Sequence, residues 1–253
     1  MIASAALCPP IVPALSDCAT FLLPPDDQWP RKILPAWPPY EEPPPIGSLV
    51  CVRGRRSAGV AHVLEANEQD LIVAPMTGSQ KHVTVPRRTA ERLRGRDQKP
   101  AVLLCGETES FRRLARSQLL KSDSVLEIGC SYGLATASIA ARSKHVIAVD
   151  VSAEALSRAA TEACQRFENI QFVELDATRD LPRLVDMARA SGVSAVFIDI
   201  NGNRQWQSVA PLLRTVHEQL SPRVIVVKNR ELYEAAVAFD TEQTCDDAVE
   251  ADD

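Results

Sequence analysis

The feature of this sequence that most constrains its fold is a regular alternation of β-type and helix-type segments from Ser124 onward. Short apolar runs predict five strands, and longer segments with helical periodicity lie between them. The predicted strands cover residues 125–128, 145–150, 170–175, 195–200 and 223–227. Strands joined by helices must run parallel, because each crossover returns the chain to the same end of the sheet. The sequence therefore predicts an α/β domain with a doubly wound, mainly parallel sheet.

The rest of the 253-residue chain divides by composition. Twelve of the eighteen prolines lie in residues 1–45, so we expect a mostly irregular arm there, since proline has no amide donor. Short β-type runs separated by turn residues predict a small antiparallel β module over residues 46–95. We place the α/β domain at residues 108–239 and an acidic tail at residues 240–253.

Charge is distributed unevenly along the chain. The formal net charge is −5, but residues 51–122 carry +7 and residues 231–253 carry −9. A polyanion such as RNA would therefore be attracted to the basic segment and not to the molecule as a whole. The same distribution also fits a tail that folds back over the basic segment, so charge alone does not indicate RNA binding.

Composition excludes several classes of protein. Hydrophobic residues make up 45% of the chain, yet no run reaches the roughly 20 apolar residues of a membrane span, so we expect a soluble protein with no membrane partner. The seven cysteines are scattered and never spaced as C-x-x-C, which argues against a disulfide framework or a zinc site. We expect an intracellular, by default cytoplasmic, protein. The first basic residue is Arg31, which fits no common targeting signal, although organelle targeting stays open.

Acidic residues recur at the ends of the predicted strands, where parallel sheets bind ligands. These residues are Glu127, Asp150, Asp176 and Asp199. Asp150 follows Gly129 by 21 residues, the separation at which a carboxylate commonly binds both ribose hydroxyls. An arc of carboxylates would repel a pyrophosphate, and the glycine pattern of dinucleotide sites is incomplete here. The sequence therefore favours a cationic nucleoside over NAD, with the charge of Glu127 offsetting the positive end.

Two segments, Val125-Leu-Glu-Ile-Gly-Cys-Ser-Tyr-Gly133 and Val146-Ile-Ala-Val-Asp-Val-Ser152, carry a family resemblance. They resemble the first two motifs of the class I S-adenosylmethionine-dependent methyltransferases, and the resemblance extends over about residues 108–230. It implies a Rossmann-like methyltransferase fold, here short of the usual C-terminal hairpin, and S-adenosyl-L-methionine as the cofactor. Ser131 stands where many members of that family have glycine.

The resemblance also implies a role for individual residues. Gly129, Ser131 and Gly133 would line the methionine part of the cofactor, and Asp150 would bind its ribose. Asp176 and Ala177 would contact the adenine edge. Together with Glu127, these are the residues that we expect to bind the cofactor.

Asp199 and Lys228 are the candidate catalytic residues, because both end strands beside the expected cofactor cavity. Amino methyltransferases usually have two prolines where this chain has Ile200-Asn201, so that subtype is not favoured. Cation-dependent O-methyltransferases place a carboxylate where Lys228 stands, so we expect no bound metal. Ribose 2′-O-methyltransferases resemble this chain in pairing an Asp with a Lys that lowers the cost of an alkoxide. Alternatively, Lys228 forms only an ion pair with Asp199.

The sequence thus predicts an S-adenosylmethionine-dependent methyltransferase, with RNA favoured as the acceptor because of the basic segment and the added β module. A methyltransferase acting on a small molecule or a protein, and a non-catalytic scaffold of the same fold, are the alternatives. The chain after Lys228 leaves no room for two more strands. The edge of the sheet must then be covered by the N-terminal segment, by a partner or by a second copy of the chain.

Overall fold

The computed structural model describes residues 19–22, 44, 46, 48–52, 60–75, 82–92, 100–200 and 206–236. Most of the arm predicted at residues 1–45 lies outside these described residues. So do the acidic tail at 240–253 and the last three residues of the α/β domain as predicted from the sequence.

Twelve strands and six helices make up the described structure. The strands are β1 (Ala19–Leu22), β2 (Leu49–Val52), β3 (Val60–Ala66), β4 (Asp70–Pro75), β5 (Val83–Pro86), β6 (Ala90–Arg92), β7 (Ala101–Cys105), β8 (Ser124–Ile128), β9 (His145–Asp150), β10 (Ile170–Glu174), β11 (Ala195–Ile198) and β12 (Val224–Lys228). The helices are α1 (Thr108–Ser117), α2 (Leu134–Ala140), α3 (Ala153–Arg158), α4 (Leu181–Ala190), α5 (Trp206–Thr215) and α6 (residues 230–236). A π-helical turn extends α3 over Ala159–Ala163 and α5 over Val216–Leu220.

Seven strands form one sheet in the order β1-β7-β12-β11-β8-β9-β10. Every neighbouring pair is parallel, which confirms the doubly wound α/β fold predicted from the sequence. The chain moves outward from β8 through β9 to β10 and then returns to the other side of β8 with β11. The strand order therefore reverses between β8 and β11, which is where an open parallel sheet binds its ligand.

Helices cover both faces of this sheet. On one face α1, α2 and α3 pack against the strands, and the Phe111 ring of α1 meets the Phe197 ring of β11 edge to face, 5.4 Å apart. On the other face lie α4, α5 and α6. The residues of β8, β11 and most of β12 are buried, as expected of central strands whose two faces are both covered by helices.

The edge beside β12 is completed by the N-terminal part of the chain. β7 pairs with β12 over five residues, and β1 pairs with β7 over four. The sequence left three possibilities for what covers this edge of the sheet: the N-terminal segment, a partner or a second copy of the chain. In the structure the N-terminal segment covers it. β7 itself was missed, because the domain was expected to begin at residue 108 and no strand was predicted at 101–105.

The remaining strands form a five-stranded antiparallel sheet in the order β5-β4-β3-β2-β6. This is the predicted β module, with β6 as a strand that the sequence did not indicate. A small apolar core of mostly valine side chains covers one side of it. Leu49 of β2 is instead buried with the α1–α3 face of the parallel sheet, so the two sheets share a contact there. None of the described helices is long and apolar enough to span a membrane.

Candidate functional site

A cavity of about 440 Å³ opens at the carboxyl ends of the parallel strands, on both sides of the point where the strand order reverses. Its wall contains one or more residues that end or follow each of the strands from β8 to β12. The lining residues are Ile128, Gly129, Ser131, Tyr132, Val149, Asp150, Val151, Ser152, Ala155, Leu175, Asp176, Ala177, Thr178, Asp199, Ile200 and Lys228. The structure thus brings seven of the nine predicted site residues together in one place.

The loop after β8 forms the floor of the cavity, and Gly129 makes its path possible. The φ angle of Gly129 is +86°, and a Cβ atom there would lie 2.1 Å from the backbone oxygen of Asp199. Only glycine fits this approach of the β8 loop to the end of β11. The amide of Gly129 donates to the Val149 oxygen at 2.8 Å, which ties the loop to β9.

Asp150 ends β9 and faces the same loop. Its two carboxylate oxygens accept hydrogen bonds from the Ser131 amide at 2.8 Å and the Ser152 amide at 3.0 Å. These amides fix the orientation of the carboxylate while other lone pairs stay available to a ligand. Next to it, the Val151 side chain is 59% exposed and presents an apolar surface to the cavity.

Asp176 and Ala177 follow β10 on the far side of the cavity. Asp176 accepts hydrogen bonds from the hydroxyl and the amide of Thr178, at 2.6 and 2.9 Å. These bonds, the hydroxyl bond first, hold the pKa of Asp176 below its usual value. Ala177 is buried and adds an apolar contact to the wall.

Asp199 directly follows β11, Lys228 ends β12, and the two form an ion pair inside the cavity. The Lys228 ammonium lies 3.1 Å from one oxygen of the Asp199 carboxylate and 2.9 Å from the other. Both side chains are largely buried, at 14% and 21% exposure. The neighbouring Asn229 accepts from the Leu232 amide and begins α6, so this Lys-Asn sequence positions a helix.

Glu127 lies behind the cavity and not in its wall. Its side chain is 1% exposed and one carboxylate oxygen has no hydrogen-bond partner among the described residues. Burial raises the pKa of Glu127 to about 8. The side chain of Thr136 acts in the opposite direction, and the negative charges of Asp199 and Asp150 raise the pKa further. Glu127 therefore does not line the cavity, and its carboxyl group can act on a ligand only through space and only when it is ionised.

Gly133 also lies outside the cavity wall. Its φ angle is +78°, and a Cβ atom there would lie 2.8 Å from the Ala159 side chain and 3.0 Å from the Cys164 sulfur. The sequence placed Gly133 against the cofactor, whereas the structure places it where α2 begins and packs on the helix after β9. Glycine is required there for packing between helices.

Comparison with known proteins identifies this part of the chain. Residues 125–223 match a family model described as a methyltransferase domain. This segment is therefore a methyltransferase domain, consistent with the class I resemblance of the sequence. No curated protein sequence matches it.

Solved structures with partial similarity to this chain include a dimethyladenosine transferase from Plasmodium falciparum. That alignment has 22% identity and a TM-score of 0.33, and it covers 44% of this chain and 36% of that one. A precorrin 8W decarboxylase from Methanobacterium thermoautotrophicum aligns at 23% identity and a TM-score of 0.37, over 53% and 68% of the two chains. An rRNA methylase from Streptococcus thermophilus aligns at 20% identity with the same TM-score, over 53% and 76%. The chain thus spans only about a third of the length of the first of these proteins.

Sequence reasoning missed several residues that line the cavity. Tyr132 and Val151 are 49% and 59% exposed, and both point apolar surface into a site otherwise rich in carboxylates. The guanidinium of Arg158 lies 4.6 Å from the centre of the Tyr132 ring. For Val151 the available signal was position: a large apolar residue directly after a strand end, where a polar residue is more usual, indicates a ligand surface.

Proposed function

We propose that this chain is an enzyme that binds S-adenosyl-L-methionine in the cavity and transfers its methyl group to RNA. The observation that carries the proposal is Asp150, whose carboxylate is held by two backbone amides at the cavity wall, next to the glycine loop after β8. The cavity volume of about 440 Å³ lies in the range that small ligands occupy.

The chemistry of the lining residues fits this cofactor. Asp150 would accept hydrogen bonds from the ribose hydroxyls. Val151, Leu175 and Ala177 provide an apolar wall for the adenine base, and Asp176 lies at the edge of that wall. The loop at Gly129 would contact the methionine part, and the buried Glu127 would become a favourable charge for the sulfonium once ionised.

The bound cofactor supplies an electrophilic methyl group on a positively charged sulfur. The Asp199–Lys228 pair would act on the acceptor, because it lies at the end of the cavity opposite the β10 wall. The Lys228 ammonium, held in place by both Asp199 oxygens, can stabilise negative charge that develops on an acceptor oxygen. This favours a hydroxyl acceptor. RNA offers such a group, and the charge of +7 over residues 51–122 would attract its backbone.

Calorimetric titration with S-adenosyl-L-methionine tests the first step. We expect binding by the full chain and its loss in Asp150→Ala, because this variant removes the ribose acceptor. Asp186→Ala is the matched control, since Asp186 is exposed on α4 and does not line the cavity. If the unaltered chain did not bind S-adenosyl-L-methionine, the proposed enzymatic function would be wrong, and a non-catalytic scaffold of the same fold would be favoured.

Transfer of labelled methyl groups into fractionated cell lysate tests the acceptor. Label in RNA supports the proposal, and label only in polypeptide or in small molecules contradicts the RNA acceptor. In this assay we expect Lys228→Met to lose transfer while still binding the cofactor. Equal transfer by the variant and the unaltered chain would leave the ion pair with a structural role only.

A further inference from the structure

Four cationic residues lie on or just after α1 and α2, two helices that pack against each other, and none of the four lines the cavity. They are Arg112 and Arg116 of α1, Lys121 just after it, and Arg142 just after α2. We call these four residues the arginine cluster. Arg112 and Arg116 lie on one helix face, about 6 Å apart along the axis. The Lys121 ammonium donates to the Ala141 backbone oxygen at 2.5 Å, which brings it beside Arg142.

Among the described residues, few carboxylates neutralise the cluster. In the described part of the chain one carboxylate, that of Glu109, forms an ion pair with it, at 2.6 Å from Arg116. Nitrogens of three of its arginines are shielded from solvent and have no described hydrogen-bond partner: Nε of Arg112, Nε of Arg116 and Nη1 of Arg142. Burial, together with the nearby charge of Arg116, lowers the pKa of Arg142.

This arrangement raises the free energy of the folded protein unless a bound anion offsets the positive charges. A shielded N–H without an acceptor loses the hydrogen bond that water would have provided, and like charges at close range repel. Guanidinium groups form paired hydrogen bonds with phosphate oxygens, and a bound phosphate would offset the repulsion between these like charges. From these contacts we propose that the arginine cluster binds the phosphate backbone of the RNA acceptor, a step that rests on the function proposed above.

The topology connects the cluster to the cavity. Cys105 at the end of β7 is in register with Lys228, which lines the cavity, and α1 begins three residues after Cys105. The ten residues of α1 extend about 15 Å from that end of the sheet. An RNA strand bound along α1 would thus lead toward the active site. We take RNA as the occupant because the proposed methyl acceptor is RNA, and an acidic peptide is the alternative that the competition test decides.

Binding of a fluorescent single-stranded oligouridylate to the full chain, followed by anisotropy at several salt concentrations, tests the proposal. Each phosphate contact contributes about 0.7 to the slope of log affinity against log salt for single strands. We therefore expect the double variant Arg112→Gln/Arg142→Gln to lower the slope by about 1.4 and to weaken binding at low salt. The control is Arg183→Gln, since Arg183 is exposed on α4 on the opposite face of the sheet. An unchanged slope in the double variant would overturn the proposal.

Thermal unfolding separates binding from a structural role. Because Arg142→Gln removes a charge that repels Arg116, we expect its melting temperature to equal or exceed that of the unaltered chain without RNA. A clearly lower melting temperature with unchanged RNA affinity would assign Arg142 to the fold and contradict the proposal.

Competition distinguishes the two kinds of polyanion. We expect unlabelled oligouridylate to displace the probe at lower concentration than poly-glutamate of equal charge, and the reverse order would overturn the assignment to RNA. Calorimetry keeps this test apart from the proposed function, because the double variant should bind S-adenosyl-L-methionine normally. If the double variant loses RNA affinity, the arginine cluster is supported even when the unaltered chain binds no cofactor. A lack of cofactor binding by the unaltered chain would overturn only the proposed enzymatic function.

Discussion

The side chain of Glu127 shows how strand geometry decides what a site residue can do. Side chains alternate along a strand, so Glu127 lies on the same face of β8 as Val125 and is opposite Phe197 in the pairing with β11. This face is covered by helices, and the carboxyl group is therefore buried with a pKa of about 8. In the unfolded chain the same group titrates near 4.5. Between these values the folded protein binds a proton that the unfolded chain releases, so stability falls as pH rises from about 4.5 to 8.

Glu127→Gln should remove this pH dependence, because the amide stays neutral at every pH. We expect the variant to melt at a higher temperature than the unaltered chain at pH 8.5, and the difference to shrink as pH falls toward 4.5. Thermal unfolding followed by circular dichroism over this range measures it. Glu174→Gln serves as the control, since Glu174 is exposed on β10. A difference between Glu127→Gln and the unaltered chain that does not vary with pH would contradict the burial argument.

Position in the sequence predicted the location of the site residues better than the direction of their side chains. Asp150, Asp199 and Lys228 were placed from the strand ends alone, and all three line the cavity. Glu127 and Gly133 were given cofactor contacts, but the first faces the helix-covered side and the second packs against the helix after β9. Side-chain direction depends on where each strand ends to within one residue, and a sequence pattern does not define strand ends that closely.

At the scale of elements, Asp123 connects three strands at the end of the sheet opposite the cavity. It is 2% exposed and accepts hydrogen bonds from the Leu120 amide, the Ser194 hydroxyl and the Arg223 guanidinium, each at 2.7 Å. These partners lie just before or after the starts of β8, β11 and β12. The residue therefore fixes the relative positions of the strands whose other ends form the cavity.

Asp123→Asn keeps the shape of the side chain and removes its charge. Because Arg223 would then lack its described counterion in a largely buried position, we expect a loss of about 3–5 kcal/mol in the free energy of unfolding. Urea denaturation of the variant and the unaltered chain measures this loss. Glu162→Gln breaks the exposed Arg158–Glu162 pair and should have little effect. Equal losses in the free energy of unfolding in both variants would show that the contacts of Asp123 stabilise the fold no more than an exposed ion pair does.

Elements that pair with distant parts of the chain were the ones that the sequence did not reveal. The strands from β8 to β12 were predicted because helices of regular length separate them. The five residues of β7 form a short apolar run, which by itself does not distinguish a strand from other buried segments. The position of β7 is decided by its pairing with β12, which begins 119 residues after the end of β7. β1 lies within the proline-rich segment, where composition predicted no strand.

At the scale of the whole molecule, the parallel sheet depends on residues that precede the methyltransferase motifs. The side chains of β7 are at most 1% exposed, and Leu103 and Cys105 share a core with Phe111 of α1. Fully burying one large aliphatic side chain contributes roughly 1.5–3 kcal/mol. Loss of Val102, Leu103 and Leu104 would therefore remove a large part of a typical domain's net stability and expose the edge of β12.

Truncation at two nearby positions tests this dependence. A chain that begins at residue 100 keeps β7, whereas one that begins at 108 loses it along with every contact to β12. We expect the longer chain to unfold cooperatively in urea and the shorter one to aggregate, or to bind a dye specific for exposed apolar surface without a cooperative transition. Size-exclusion chromatography and dye fluorescence measure the two outcomes. If the chain from 108 unfolded with the same midpoint as the chain from 100, β7 would be dispensable, and the methyltransferase motifs alone would specify a stable sheet.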